Sequence, residues 1–126
     1  MTTPQPDTII EVELDALRRQ YLDALATLDD AHGHVREALD DAASALHTVR
    51  DHIETGGRIS DYANIITPAP LRASLTNALD DLERARHHAQ RLLFRILETE
   101  GNTKSDIARA WGISRQLVSR LINEPD

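Results

Sequence analysis

Residues Ser105–Ile122 read "SDIARAWGISRQLVSRLI", and the spacing inside this run decides the fold of the C-terminal third. Just upstream, Gly101 ends one helix, and Thr103 followed by Asp106 makes a capping box that opens another. The spacing predicts a short helix over about Lys104–Trp111. Gly112 then supplies the positive φ of a sharp turn, and Ser114 caps a further helix that runs to about Asn123. Ala108 stands four residues before Gly112, where two helices cross and a bulky side chain would clash. Ile107, Trp111, Ile113, Val118 and Leu121 are the apolar residues expected to lock the two helices. Trp111 is expected to be structural, bridging the motif to Leu93, Ile96 or Leu97 on the preceding helix. On the last helix Leu117, Val118, Leu121 and Ile122 point inward. Arg115, Gln116, Ser119, Arg120 and Asn123 share the opposite face, which carries no acidic and no apolar residue.

The glycine at the turn, the alanine four before it and the β-branched residue six after it resemble a helix-turn-helix over 104–123. "GISRQLVSRLIN" is similar to the recognition helices of lac-repressor-type and Cro-type regulators. The longer run "LLFRILETEGNTKSDIARAWGISRQLVSRLI" resembles the C-terminal trihelical unit of Fis and NtrC-type activators, which also places a "GN" turn before the motif. The resemblance implies a dimeric protein of bacterial, phage or plasmid type that binds double-stranded DNA and acts in transcription regulation or as an accessory factor. It implies that the last helix enters the major groove N-terminal end first. Arg pairs bidentately with guanine and Gln with adenine, so Arg115 and Gln116 are the expected base readers, with Ser119 and Arg120 one turn later. Thr103, Lys104 and Ser105 open the first motif helix, where a phosphate can bind; Ser114 and Asn123 are further expected backbone contacts. Residues 1–70 carry no such resemblance.

Upstream, residues 1–7 read as a disordered lead with two prolines, and Thr8 with Glu11 fits a capping box. From there Leu14, Leu17, Tyr21, Leu25, Leu28, His32, Val35, Leu39, Ala42, Leu46, Val49 and Ile53 recur at steps of three and four, a coiled-coil-like seam with one early stutter. The phase runs unbroken through Gly33, whose cost of roughly 1 kcal/mol against Ala is too small alone to break a packed helix. One helix over about Thr8–Glu54 is the favoured reading; a hairpin turning at "AHGH" is the rival. "TGG" at 55–57 ends it, with Gly56 as the left-handed cap. The linker "RISDYANIITPAP" has room for one helical turn, stopped by Pro68 and Pro70. Pro70 suits the first turn of a second long helix over about Leu71–Glu100, with its apolar residues at Leu71, Leu75, Leu79, Leu82, Ala85, Ala89, Leu92, Leu93, Ile96 and Leu97. The expected fold is all-α, divided into a lead (1–7), a helical dimerisation region with linker (8–70) and the long helix leading into the motif (71–126). A narrow seam needs a partner surface: the second helix, another chain, or both. A homodimer is the expectation; a monomeric antiparallel helical body is the alternative.

Composition supports this frame. Apolar residues make up 40% and aromatic residues 3%, so a core of Leu, Ile, Val and Ala points to closely packed helices. There is no cysteine, hence no disulfide or thiolate chemistry. The first residues lack a basic segment leading into an apolar run, and no stretch approaches the ~18 apolar residues of a membrane span. A cytoplasmic, nucleoid-associated location without membrane contact is expected. The net charge of −7 is uneven: residues 1–83 hold 6 Arg against 16 Asp/Glu, and residues 84–126 hold 7 Arg and 1 Lys against 5 Asp/Glu. The basic end can meet phosphate while the acidic end faces away.

The other constellations are weak. His87 and His88 are adjacent and His32 and His34 two apart, so neither pair shares a helical face. His47 and Asp51 stand at i, i+4, where a surface pair is the ordinary reading and a metal the sharper one. The "DD" pairs at 29–30, 40–41 and 80–81 read as solvated helix faces, with DNA mimicry or repulsion as the alternative. No metal, cofactor or catalytic residue is assigned, and an enzyme is not expected. Any small-molecule effector is left open. Competing with the DNA regulator are a coiled-coil adaptor that grips a protein through its C-terminus and an architectural factor that bends DNA with little sequence preference.

Overall fold

The computed structural model describes residues 6–125 and is all-helical, with no strand among them. Helix α1 spans Pro6–Glu54, a 3₁₀ turn covers Ile59–Asp61 and short α2 covers Tyr62–Ile65. Then follow α3 at Pro68–Thr99, α4 at Lys104–Trp111 and α5 at Arg115–Asn123. No helix among the described residues is long and apolar enough to cross a membrane.

Helix α1 is one helix through Gly33, so the hairpin at "AHGH" is not formed. It starts two residues before Thr8, which leaves Pro6 and Asp7 helical and not part of the lead; residues 1–5 of the lead lie outside the described residues. A proline is pre-set for a first helical turn because no partner is needed for its nitrogen. The same reason moves the start of α3: both Pro68 and Pro70 lie in its first turn, so Pro68 opens this helix. At the end of α1, Gly56 has φ 93° and the Gly57 N–H bonds the His52 carbonyl at 2.8 Å, closing the cap that "TGG" predicts.

The chain divides into two compact units, 28–84 and 1–27 with 85–126. In the first, Val35 and Ala38 of α1 pack on Ala78 of α3, flanked by Leu75 and Leu82. The seam of α1 here differs from the expected one. Ala31 and Ala38 are buried, whereas Leu39 and Leu46, which the seam of large residues contains, are exposed. Alanine takes the inner positions, while the leucines one position on lie on the flank. The same shift places Ala78, not Leu79, inside α3. In the other unit Leu14 and Ala24 are buried and Leu25 is not, and Ala85, Ala89, Leu92 and Ile96 are the buried positions of α3. Arg18 Nη2 bonds Glu100 Oε2 there at 3.2 Å, an exposed pair of the class worth about 0–1 kcal/mol.

Ala38→Leu should therefore overpack the α1–α3 contact and cost about 1–3 kcal/mol, whereas Ala26→Leu, at an exposed position of the same helix, should change stability by less than about 0.5 kcal/mol. Urea denaturation of both variants reads the difference, and equal effects would mean that the alanines do not set the contact.

Candidate nucleic-acid interface

Local caps fix the ends of α4 and α5. Thr103 is the N-cap of α4, its hydroxyl accepting from the Asp106 N–H at 3.1 Å, and Ser114 caps α5 by accepting from the Leu117 N–H at 3.1 Å. Between them Gly112 lies at φ 66°, ψ 35°, and its N–H bonds the Ala108 carbonyl. This left-handed position favours glycine. Before α4, Gly101 has φ 105°, and the Asn102 backbone N–H and side-chain amide both donate to the Leu97 carbonyl at 2.9 Å.

Under the two helices lies one core: Phe94, Ile107, Ala108, Val118 and Leu121, with Leu97, Ile113, Leu117 and Ile122 packed against it. Phe94 is its centre, at 0% exposure. Sequence reasoning missed it, since it falls off the heptad seam of α3. Trp111 departs from its expected place. It is 44% exposed and meets Phe94 edge-on, ring centroids 5.3 Å apart at 78°. Phe94 fills the pocket beneath α4, so the indole covers the pocket's rim instead of entering it.

The C-terminal end of α5 is held from α3. Arg91, 5% exposed, donates from Nε to the Leu121 carbonyl at 3.4 Å and from Nη2 to the Glu124 carbonyl. Arg95 donates to the carbonyls of Ile122 at 3.1 Å and Glu124 at 2.7 Å. His87 Nε2 stands 2.9 Å from a Glu124 carboxylate oxygen. Helix ends leave carbonyls without intrahelical partners, and the negative end of the helix dipole attracts cations. Two arginines that the sequence counts toward a basic, phosphate-facing third are thus committed to the end of α5, Arg91 buried and Arg95 half-buried. The cations on α4 and α5 are Lys104, Arg109, Arg115 and Arg120.

Of the expected site residues, Arg115, Gln116, Arg120, Asn123, Thr103, Ser105 and Ser114 are exposed, and Lys104 and Ser119 are half-buried. Lys104, Arg115, Gln116 and Ser119 line one shallow cleft of about 250 Å³. Lys104 Nζ also stands 3.4 Å from a Glu98 oxygen, Arg109 pairs with Asp106 at 3.4 Å, and the Asn123 amide donates to Ser119 Oγ at 3.4 Å. Among the described residues no three His, Cys, Asp or Glu gather as a metal site. Comparison with family models, curated proteins and solved structures finds no match.

Phe94→Ala should cost about 3–5 kcal/mol and unfold the α4–α5 region. Trp111→Ala, which loses an edge contact of about 0.5–1.5 kcal/mol together with partial burial, should leave it folded. Thermal melts followed by circular dichroism distinguish the two, and a Trp111→Ala variant as unstable as Phe94→Ala would mean that the indole is the true core residue.

Proposed function

We propose that the chain is a sequence-specific DNA-binding protein, a homodimeric transcriptional regulator or accessory factor, in which α4 and α5 serve as a helix-turn-helix and α5 docks in the major groove. The observation that carries this reading is the outward face of α5. Arg115, Gln116, Arg120 and Asn123 are exposed together with no carboxylate among them. Such a face suits base edges, which demand donors and bidentate partners, and would be a poor protein anchor for want of an apolar centre. The sharp turn at Gly112 and the cleft that joins Lys104 to Arg115 and Gln116 support the same reading, because a helix in the groove brings the first helix's N-terminus near the backbone.

In this proposal Arg115 and Gln116 read bases, with Ser119 and Arg120 following. Ser119 is the weakest reader, being half-buried and shared with Asn123. Thr103, Lys104, Ser105, Ser114 and Asn123 position the backbone. The Lys104–Glu98 pair does not oppose this: at 3.4 Å, with the lysine half-buried and the carboxylate exposed, it keeps access to solvent and is weak, and a phosphate contact releases counterions as well. In the dimer the two α5 helices would lie about 34 Å apart or a multiple of it, to reach successive major grooves.

A second reading, the protein adaptor, has one observation in its favour, the exposed indole of Trp111 at the end of α4. Fluorescence anisotropy on a selected duplex and on a scrambled one, at several salt concentrations, tests both. Arg115→Ala should cost about 1–3 kcal/mol on the selected site only. Lys104→Ala should weaken both duplexes and reduce the salt slope by about one. Equal weakening of both duplexes by Arg115→Ala would favour an architectural role, and no effect of either variant would favour the adaptor.

A further inference from the structure

Helix α1 carries a second stripe at alternating steps of three and four, outside its contact with α3. In the unit 28–84 it consists of Asp29, His32, Arg36, Leu39, Ala43, Leu46, Arg50 and Ile53. All eight are exposed. Leu39 is 51% and Leu46 70% exposed, and Leu79 of α3, 47% exposed, stands one position beyond the buried Ala78. Large apolar side chains set at heptad spacing on a solvent face mark an interaction surface. The charges are sorted with them. Of the seven Asp/Glu between 28 and 54, only Asp29 lies on this stripe, while both arginines of that segment do. Asp29, Arg36 and Arg50 have no side-chain hydrogen bond or ion pair to another described residue.

We infer that this stripe is the surface on which a second copy of the chain docks, antiparallel, with a two-fold axis beside Leu39. The spacing is self-complementary about that point to within one residue. Leu39 meets Leu39 of the other copy, Leu46 meets His32, and Asp29 meets Arg50, each of the last two contacts occurring twice. Arg36 falls opposite the small Ala43, which leaves room for the longer side chain. A parallel pairing would set Arg36 against Arg36 and Arg50 against Arg50, a like-charge arrangement. An unrelated acidic helix would suit the arginines but leave Asp29 facing its carboxylates. The inference specifies the dimer that the proposed function needs. It rests on α1 alone, and its test contains no DNA, so the two can fail separately.

The chain has no cysteine, so single cysteines report contacts without interference. Leu39→Cys, treated with a short bismaleimide, should give a covalent dimer in high yield. Leu46→Cys alone should give little, and an equimolar mixture of Leu46→Cys and His32→Cys should restore it. Efficient Leu46→Cys self-linking would overturn the antiparallel register. Sedimentation equilibrium adds the charge test. Arg50→Asp should raise the dimer dissociation constant about tenfold, because the axis applies each change twice, and Asp29→Arg in the same chain should bring it back. A wild-type monomer at about 100 µM, or no recovery in the double variant with helicity intact by circular dichroism, would overturn the proposal.

Discussion

The last carbonyls of α5 have no partner within their own helix, and Arg91 and Arg95 reach them from α3. The orientation of the C-terminal helices depends on this contact. A guanidinium as buried as that of Arg91 is costly unless its donors are met, and here they meet oxygens that would otherwise be orphaned at the negative end of a helix. Each side of the contact satisfies the other. Together with Phe94 beneath, it fixes α5 to α3 from below and at its end, and leaves the face of Arg115 and Gln116 exposed.

Elsewhere the fold is set by small residues. In the unit 28–84 Ala38 and Ala78 take the inner positions of α1 and α3, and Leu39, Leu46 and Leu79 lie at the surface. These leucines are then free to form a second apolar stripe. One choice of alanine in the seam therefore sets both the internal contact and the exposed stripe proposed for a second copy.

How much of this the sequence discloses depends on the range of the forces involved. Both bounds of α4 and the start of α5 are legible because each is set within four residues by Thr103, Gly112 or Ser114. The single helix through Gly33 is legible because a periodic phase outweighs one glycine. The true seam is not, since alanine and leucine alternate at neighbouring positions and transfer scales favour the larger residue, while backbone approach favours the smaller. Phe94 and the arginines of α3 are not legible either. Their roles arise from residues 13 to 33 positions away, and charge counting places Arg91 and Arg95 on a phosphate-facing surface when both are committed to carbonyls at the end of α5, Arg91 buried and Arg95 half-buried. The exposure of Arg115, Gln116, Arg120 and Asn123 follows from the helical period of α5, whereas the half-burial of Ser119 and the pairing of Lys104 with Glu98 do not.

The proposed function turns on whether the free face of α5 reads base sequence. The cations on α4 and α5 are few, and the chain as a whole is acidic, so attraction for phosphate alone supplies little non-specific affinity. Base contacts would have to provide the discrimination. In vitro selection of bound duplexes from a random pool, performed with the full chain at about 0.15 M salt, tests this most directly. The account predicts enrichment of a two-fold symmetric site whose half-sites contain a guanine or adenine lost from the preference when Arg115 or Gln116 is replaced by Ala. Retention of pool DNA with no enriched sequence, or no retention at all, would contradict it.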